Sequence, residues 1–132
     1  MNYADRLKQN LLLSNQILSE MKMATDSFET FFGLLKRYIQ LRFVIDDVDY
    51  WTDNIKDLSA FSMKHQQDVI GDDDSALKDT SLNCAGATSS DTKQILLLMK
   101  LRRDLGVELP PAFMGTAESV KDIAERLFSQ LS

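Results

Sequence analysis

A run of hydroxyl and carboxyl side chains, Gly86-Ala87-Thr88-Ser89-Ser90-Asp91-Thr92, stands directly before a strongly helical stretch. A serine at a helix start can point its hydroxyl to solvent, where a modifying enzyme can reach it. The free backbone N–H groups and the positive end of the helix dipole at such a start favour a bound phosphate. Ser89 and Ser90 are the serines in that position, with Thr88 and Asp91 beside them. The same residue types also make ordinary helix caps. In that reading Ser89, Ser90 or Asp91 satisfies the first N–H groups and does nothing more.

Other reactive side chains are sparse. His65, the only histidine, lies in Met63-Lys64-His65-Gln66-Gln67 and is expected on an exposed helix face. A triad or a metal site needs partners that this chain does not supply. Cys84 is the only cysteine, and nothing near it marks an activated thiol. Without an internal disulfide the expectation is a reducing, cytoplasmic setting. The acidic runs Asp46-Asp47-Val48-Asp49 and Asp72-Asp73-Asp74 lack the glycine and terminal glutamate of a calcium loop, and read as solvated turns or helix starts. No zinc-protease, phosphate-loop or dinucleotide motif occurs. The chain is therefore not expected to be a self-contained enzyme, and no metal is expected.

Patterning indicates an all-α helical bundle. The only prolines are Pro110-Pro111, so the first 109 residues lack the strongest helix breaker. The spacing predicts a helix over 3–23, with Leu7, Leu11, Ser14, Leu18 and Met21 on one face and Leu12, Leu13 and Ile17 widening it. A second helix follows an Asp26 cap with Glu29 three residues on, and carries Phe28, Phe31, Phe32, Leu35, Tyr38 and Ile39. A third is predicted over 48–70 from Val48, Trp51, Ile55, Leu58 and Ser62, with Gly71 as its stop and a polar loop over 72–83. A fourth runs over 91–105, with Ile95, Leu98, Met99, Leu101 and Leu105 as its apolar positions, and stops at Gly106. Val107-Glu108-Leu109-Pro110 is extended. Thr116 is the expected cap of a last helix that buries Val120, Ile123, Ala124, Leu127, Phe128 and Leu131.

The chain has 132 residues, is 44% hydrophobic and has a net charge of −5, which suits a packed domain and argues against a nucleic-acid surface. The acidic excess lies in the first part: residues 1–75 hold 13 acids and 8 bases, whereas residues 76–132 hold 7 of each. No apolar run approaches membrane-spanning length. Two segments are expected: 1–71, with extra helices suited to docking or homodimerisation, and 72–132.

The second segment resembles the phosphopantetheine carriers, that is, acyl carrier proteins and the carrier domains of polyketide and peptide synthases. Leu105-Gly106-Val107-Glu108-Leu109-Pro110 is similar to the turn that ends helix II of that family. Residues 112–115 fall in its short helix III, and Ser119-Val120-Lys121-Asp122-Ile123-Ala124-Glu125-Arg126-Leu127 is similar to its closing helix. Thr80-Ser81-Leu82 is similar to the loop that plugs the bundle, and the third predicted helix can stand as helix I. The resemblance implies a 4'-phosphopantetheine on the serine of a Gly-x-Asp-Ser motif, a carrier role in fatty-acid, polyketide or nonribosomal-peptide biosynthesis, and synthase or transferase partners. Gly86-Ala87-Thr88-Ser89 matches that motif with Thr88 in place of the aspartate, which makes Ser89 the attachment residue and Ser90 its backup.

Counting back from Pro110 gives a second register. Ser89 lies 21 residues before Pro110. That is about two residues beyond the usual family spacing, and two residues turn a helix by roughly 200°. The usual count falls on Asp91, which has no hydroxyl to modify. Lys100, Arg102 and Arg103 form a basic cluster closer to carriers embedded in multidomain synthases than to the acidic free-standing ones. It is either a solvated face or a partner-binding surface. The alternative function is a non-catalytic docking protein that keeps a carrier-like fold and bears no prosthetic group.

Overall fold

The computed structural model describes residues 3–70 and 90–131. Six helices follow in order: α1 (Tyr3–Met23), α2 (Phe28–Arg42), α3 (Ile55–Ile70), α4 (Ser90–Leu105), α5 (Pro111–Thr116) and α6 (Val120–Leu131). The fold is an all-α helical bundle. Gly71, the 72–83 loop, Cys84 and Thr88 and Ser89 lie outside the described residues.

Helices α1 and α2 form a hairpin across the short link 24–27, which packs consecutive helices side by side. The α2 cap is Ser27, whose hydroxyl accepts from the Thr30 N–H; the expected Asp26 is exposed one residue earlier. Phe31, Leu35, Tyr38 and Ile39 are fully buried. Phe28 and Phe31 meet Phe128 of α6 with ring centroids 5.5 Å apart, an aromatic contact that joins the hairpin to the closing helix. On α1 the outcome is mixed. Leu7, Ser14, Leu18 and Met21 are buried, but Leu12 and Leu13 face solvent, because α2 and α4 cover only one side of the helix.

The same stop motif ends α2 and α4, with opposite residue choices. After α2, the Ile45 N–H donates to Gln40 O and the Val44 N–H to Leu41 O, with Val44 at φ 55. After α4, the Val107 N–H donates to Arg102 O, with Gly106 at φ 68. A glycine bears the left-handed conformation without strain. Val44 carries a β-branched side chain there and is held by burial, being only 2% exposed.

Helix α3 begins at Ile55, not at Val48. Val48, Tyr50 and Trp51 instead run through a non-helical connection and pack on the core from outside it. Asn54 sets the later start, since its side chain accepts from the Asp57 N–H. The chain is also tied here to the start of α6: the Ile55 N–H donates to Glu118 O and the Val120 N–H to Asp53 O, as a single antiparallel bridge at Asn54 and Ser119. Ser119, not Thr116, caps α6 by accepting from the Asp122 N–H. Thr116 instead closes α5, donating to Ala112 O. The bridge requires extended backbone just before Ser119, so α6 cannot start earlier.

One apolar cluster runs through all the helices, with Leu18, Leu35, Ile55, Leu98, Met114 and Ile123 among its members. Both expected segments contribute to it.

Candidate functional site

Helix α4 carries Ser90, Asp91, Lys100, Arg102 and Arg103 of the site residues that the sequence singled out, and its first turn is anchored by two buried polar side chains. Ser90 is the first helical residue and is half-buried; Asp91 and Thr92 after it are exposed. The next two residues turn inward. Lys93 is fully buried, with Nζ 3.2 Å from Gln66 Oε1 of α3 and 5.7 Å from the centre of the Phe43 ring. Gln94 is also buried. Its Nε2 donates to Met114 O and Ala117 O, each at 3.0 Å, and so ties α4 to the end of α5. Lys93 and Gln94 therefore set the rotation of α4: they hold the Lys93–Gln94 face against α3 and α5 and turn the Asp91–Thr92 face to solvent.

Ser90 is at the positive end of a 16-residue helix and is half-buried, with the exposed Asp91 next in sequence. Ser89 and Thr88 lie outside the described residues.

Two turns further on, the basic cluster borders a groove of about 230 Å³ lined by Arg42, Leu96, Met99, Lys100, Arg102 and Arg103. Leu96 and Met99 supply its apolar part, Lys100, Arg102 and Arg103 line its open side, and Arg42 is buried at its base. Met99, expected in the core, is 41% exposed. Arg42 comes from the end of α2, so the hairpin completes a groove that α4 alone does not form. Lys100 Nζ is 2.6 Å from Asp104 Oδ2, and Arg103 Nε is 3.3 Å from Asp104 Oδ1. Burial pushes the Asp104 carboxyl up, but the Lys100 hydrogen bond and charge, with Arg103 adding, outweigh this and hold it below the usual carboxylate range.

A separate polar cluster fastens α1 to the connection after α2. Arg6 reaches Asp46 at 3.0 Å and Asp47 at 2.8 Å, and Asn10 donates to Leu41 O and Asp46 Oδ1. His65 Nε2 lies 3.3 Å from Asp47 Oδ1, and its ring stacks on Phe61. Burial raises the Asp47 carboxyl, and the hydrogen bond and charge of Arg6, with the charge of His65, more than reverse it. One expectation is corrected here: His65 is half-buried in a contact, not on an open face. Asp46-Asp47 is a turn with Asp47 exposed, as expected, and its carboxylates also pair with Arg6. The sequence signal for the hub was weak because its partners lie 40 residues apart.

Sequence reasoning passed over Arg42, Lys93 and Gln94. Only the i,i+4 spacing of Lys100 and Asp104 was open to inspection in advance. Among the described residues no helix is long and apolar enough to cross a membrane. No family model matches the chain, and no curated protein or solved structure is significantly similar to it.

Proposed function

We propose that this chain is a carrier-like protein of fatty-acid, polyketide or nonribosomal-peptide assembly, with the 4'-phosphopantetheine attachment serine at the start of α4. The observation that supports this reading is the order of elements from α3 onward. A 16-residue helix is followed, after residues 71–89, by a 16-residue helix beginning at Ser90. A left-handed Gly106, an extended Val107–Pro110 segment, a six-residue α5 and a 12-residue α6 complete the series. The helices of this series fall in the order helix I, helix II, short helix III and helix IV that the sequence resemblance implies.

In this reading Ser89 bears the arm and Ser90 is the backup. The N-terminal dipole of α4 stabilises the phosphodiester, Thr88 and Asp91 shape the approach to the hydroxyl, and the exposed Asp91–Thr92 side leaves room for a transferase. When attached, the arm supplies the thiol on which acyl or peptidyl groups are held as thioesters. Lys100, Arg102 and Arg103 offer synthase or transferase partners a basic surface on the same helix. The protein itself performs no bond-making chemistry on the cargo.

Co-expression with a promiscuous phosphopantetheinyl transferase tests the assignment by intact mass. The expected result is one added phosphopantetheine, absent in Ser89→Ala and retained in Ser90→Ala. Loss only in Ser90→Ala moves the site by one residue and refutes Ser89.

A second reading, a docking protein without a prosthetic group, is favoured by one observation: Arg42 at the end of α2 lines the α4 groove, so the hairpin contributes to the surface that would meet a partner. It predicts no mass increment while the groove still binds its partner.

A further inference from the structure

Four large apolar side chains are exposed among the described residues: Leu12, Leu13, Met23 and Met99. Two of them lie in patches of opposite charge. Met99 belongs to the groove lined by the buried Arg42 and by Lys100, Arg102 and Arg103, with Lys100 and Arg103 also paired to Asp104, which leaves the groove cationic in sum. Met23, 83% exposed, belongs to a depression of about 410 Å³ at the α1–α2 turn, together with Glu20, Ala24, Asp26, Thr30 and Leu34. Glu20 and Met23 are three residues apart on α1, so they are neighbours on one helix face. The Met23 side chain, 83% exposed, is thus an apolar knob at the edge of that depression, with two carboxylates on the depression side and the exposed Lys22 next to it in sequence, and the α4 groove is an apolar slot flanked by cations.

We propose that the basic α4 groove of one copy receives the Met23 knob of a second copy, so that the protein self-associates through two different, complementary patches. Met23 packs against Leu96 and Met99, and Glu20 and Asp26 face Arg102 and Arg103. The flexible thioethers of Met23 and Met99 adapt to each other without demanding a fixed shape. Size favours a protein side chain in the groove over a small molecule, since about 230 Å³ is below the roughly 300–1,000 Å³ of pockets that enclose small ligands. Charge favours a copy of this chain: the occupant must be acidic around an apolar residue, and the chain itself displays such a feature. A contact between unlike patches closes into a two-fold dimer when each copy offers both, and extends into open chains when the geometry prevents closure. The net charge of −5 opposes association at long range, so the contact is weak and depends on local pairing. This inference does not rest on a prosthetic group, and a synthase partner at the α4 groove would compete with it.

Sedimentation equilibrium of the full chain up to ~1 mM, the concentration at which an interaction of about 4 kcal/mol is half-formed, is the test. Reversible association is expected at low ionic strength. It should weaken toward ~1 M salt, where the screening length falls to roughly 3 Å. The double variants E20K/D26K and R102E/R103E should each be monomeric alone, and an equimolar mixture should associate, because the mixture restores one native contact per pair. Circular dichroism confirms that both variants are folded. A parent protein that stays monomeric throughout, association insensitive to either reversal, or two folded variants that fail to associate when mixed overturns the proposal.

Discussion

Gln94 is the most informative single residue to change, because it couples the helix bearing the candidate serines to α5. Its Nε2 makes two buried bonds, to Met114 O and Ala117 O, and its Oε1 is buried without a partner among the described residues. Replacing it with leucine leaves two buried carbonyls without this donor, at ~1–3 kcal/mol each, while relieving the one unpartnered Oε1, worth ~1–3 kcal/mol in the other direction. The net expectation is a loss of about 1–3 kcal/mol. With a urea slope of ~2 kcal/mol per molar, the unfolding midpoint falls by roughly 0.5–1.5 M. Gln94→Glu sharpens the test. Its carboxylate would face two carbonyl oxygens in a dry site, so the loss is larger at neutral pH. Burial and those oxygens raise the folded-state pKa of the introduced carboxyl above its unfolded value of about 4.3. Relative to the parent, the penalty is therefore smallest below that unfolded pKa and grows as pH rises through the folded pKa. A leucine variant as stable as the parent, or a glutamate variant whose deficit does not change with pH, would refute the anchoring role given to Gln94.

Other expectations follow from the same geometry. Gly106→Ala should lose ~1–2 kcal/mol in urea unfolding, because an L side chain is strained at φ 68 although the space around it is open. Gly33→Ala, in the middle of α2 and also in open space, should gain up to ~1 kcal/mol; equal signs for the two would discredit the backbone argument. Gln66→Leu removes an acceptor of the buried Lys93 ammonium and should lose ~1–3 kcal/mol by the same measurement. The Asp47 carboxyl, flanked by Arg6, Asp46 and His65, is held below the carboxylate range. Its stabilisation is therefore fully present above the unfolded pKa of about 3.9 and is lost as pH falls through the lower folded value. Arg6→Ala should lose under ~1 kcal/mol at neutral pH, since the pair is partly exposed. That deficit should shrink in acid, as thermal melts across pH would record.

The helices were largely legible because burial follows a 3.6-residue period. The α1 range, the Phe-rich α2 stripe, the buried face of α6 and part of that of α4 follow from that spacing, whereas Met99 turns out to solvent and Leu97 takes the inward position. The starts of α3 and α6 were not legible. Val48, Trp51 and Ile55 have helical spacing, yet the first two pack from a connection whose path is fixed by Asp53, Asn54, Glu118 and Ser119. Those bonds join residues more than 60 positions apart, and no local pattern encodes them. At the candidate site the basic cluster was legible as composition. The contribution of Arg42 was not, because it depends on how the end of α2 meets α4. Lys93 and Gln94 read as ordinary polar positions, and only the packing of α3 and α5 against α4 turns them inward. Left-handed Val44 also escaped notice, since glycine is the usual signal for that stop.

Whether a serine at the start of α4 is modified is decided by the intact mass of the chain after exposure to a broad-specificity phosphopantetheinyl transferase and coenzyme A. The expected result is a single added phosphopantetheine that disappears when Ser89 and Ser90 are both replaced by alanine. An unmodified chain, under conditions that fully load a control carrier, would contradict it and leave the docking protein as the surviving reading.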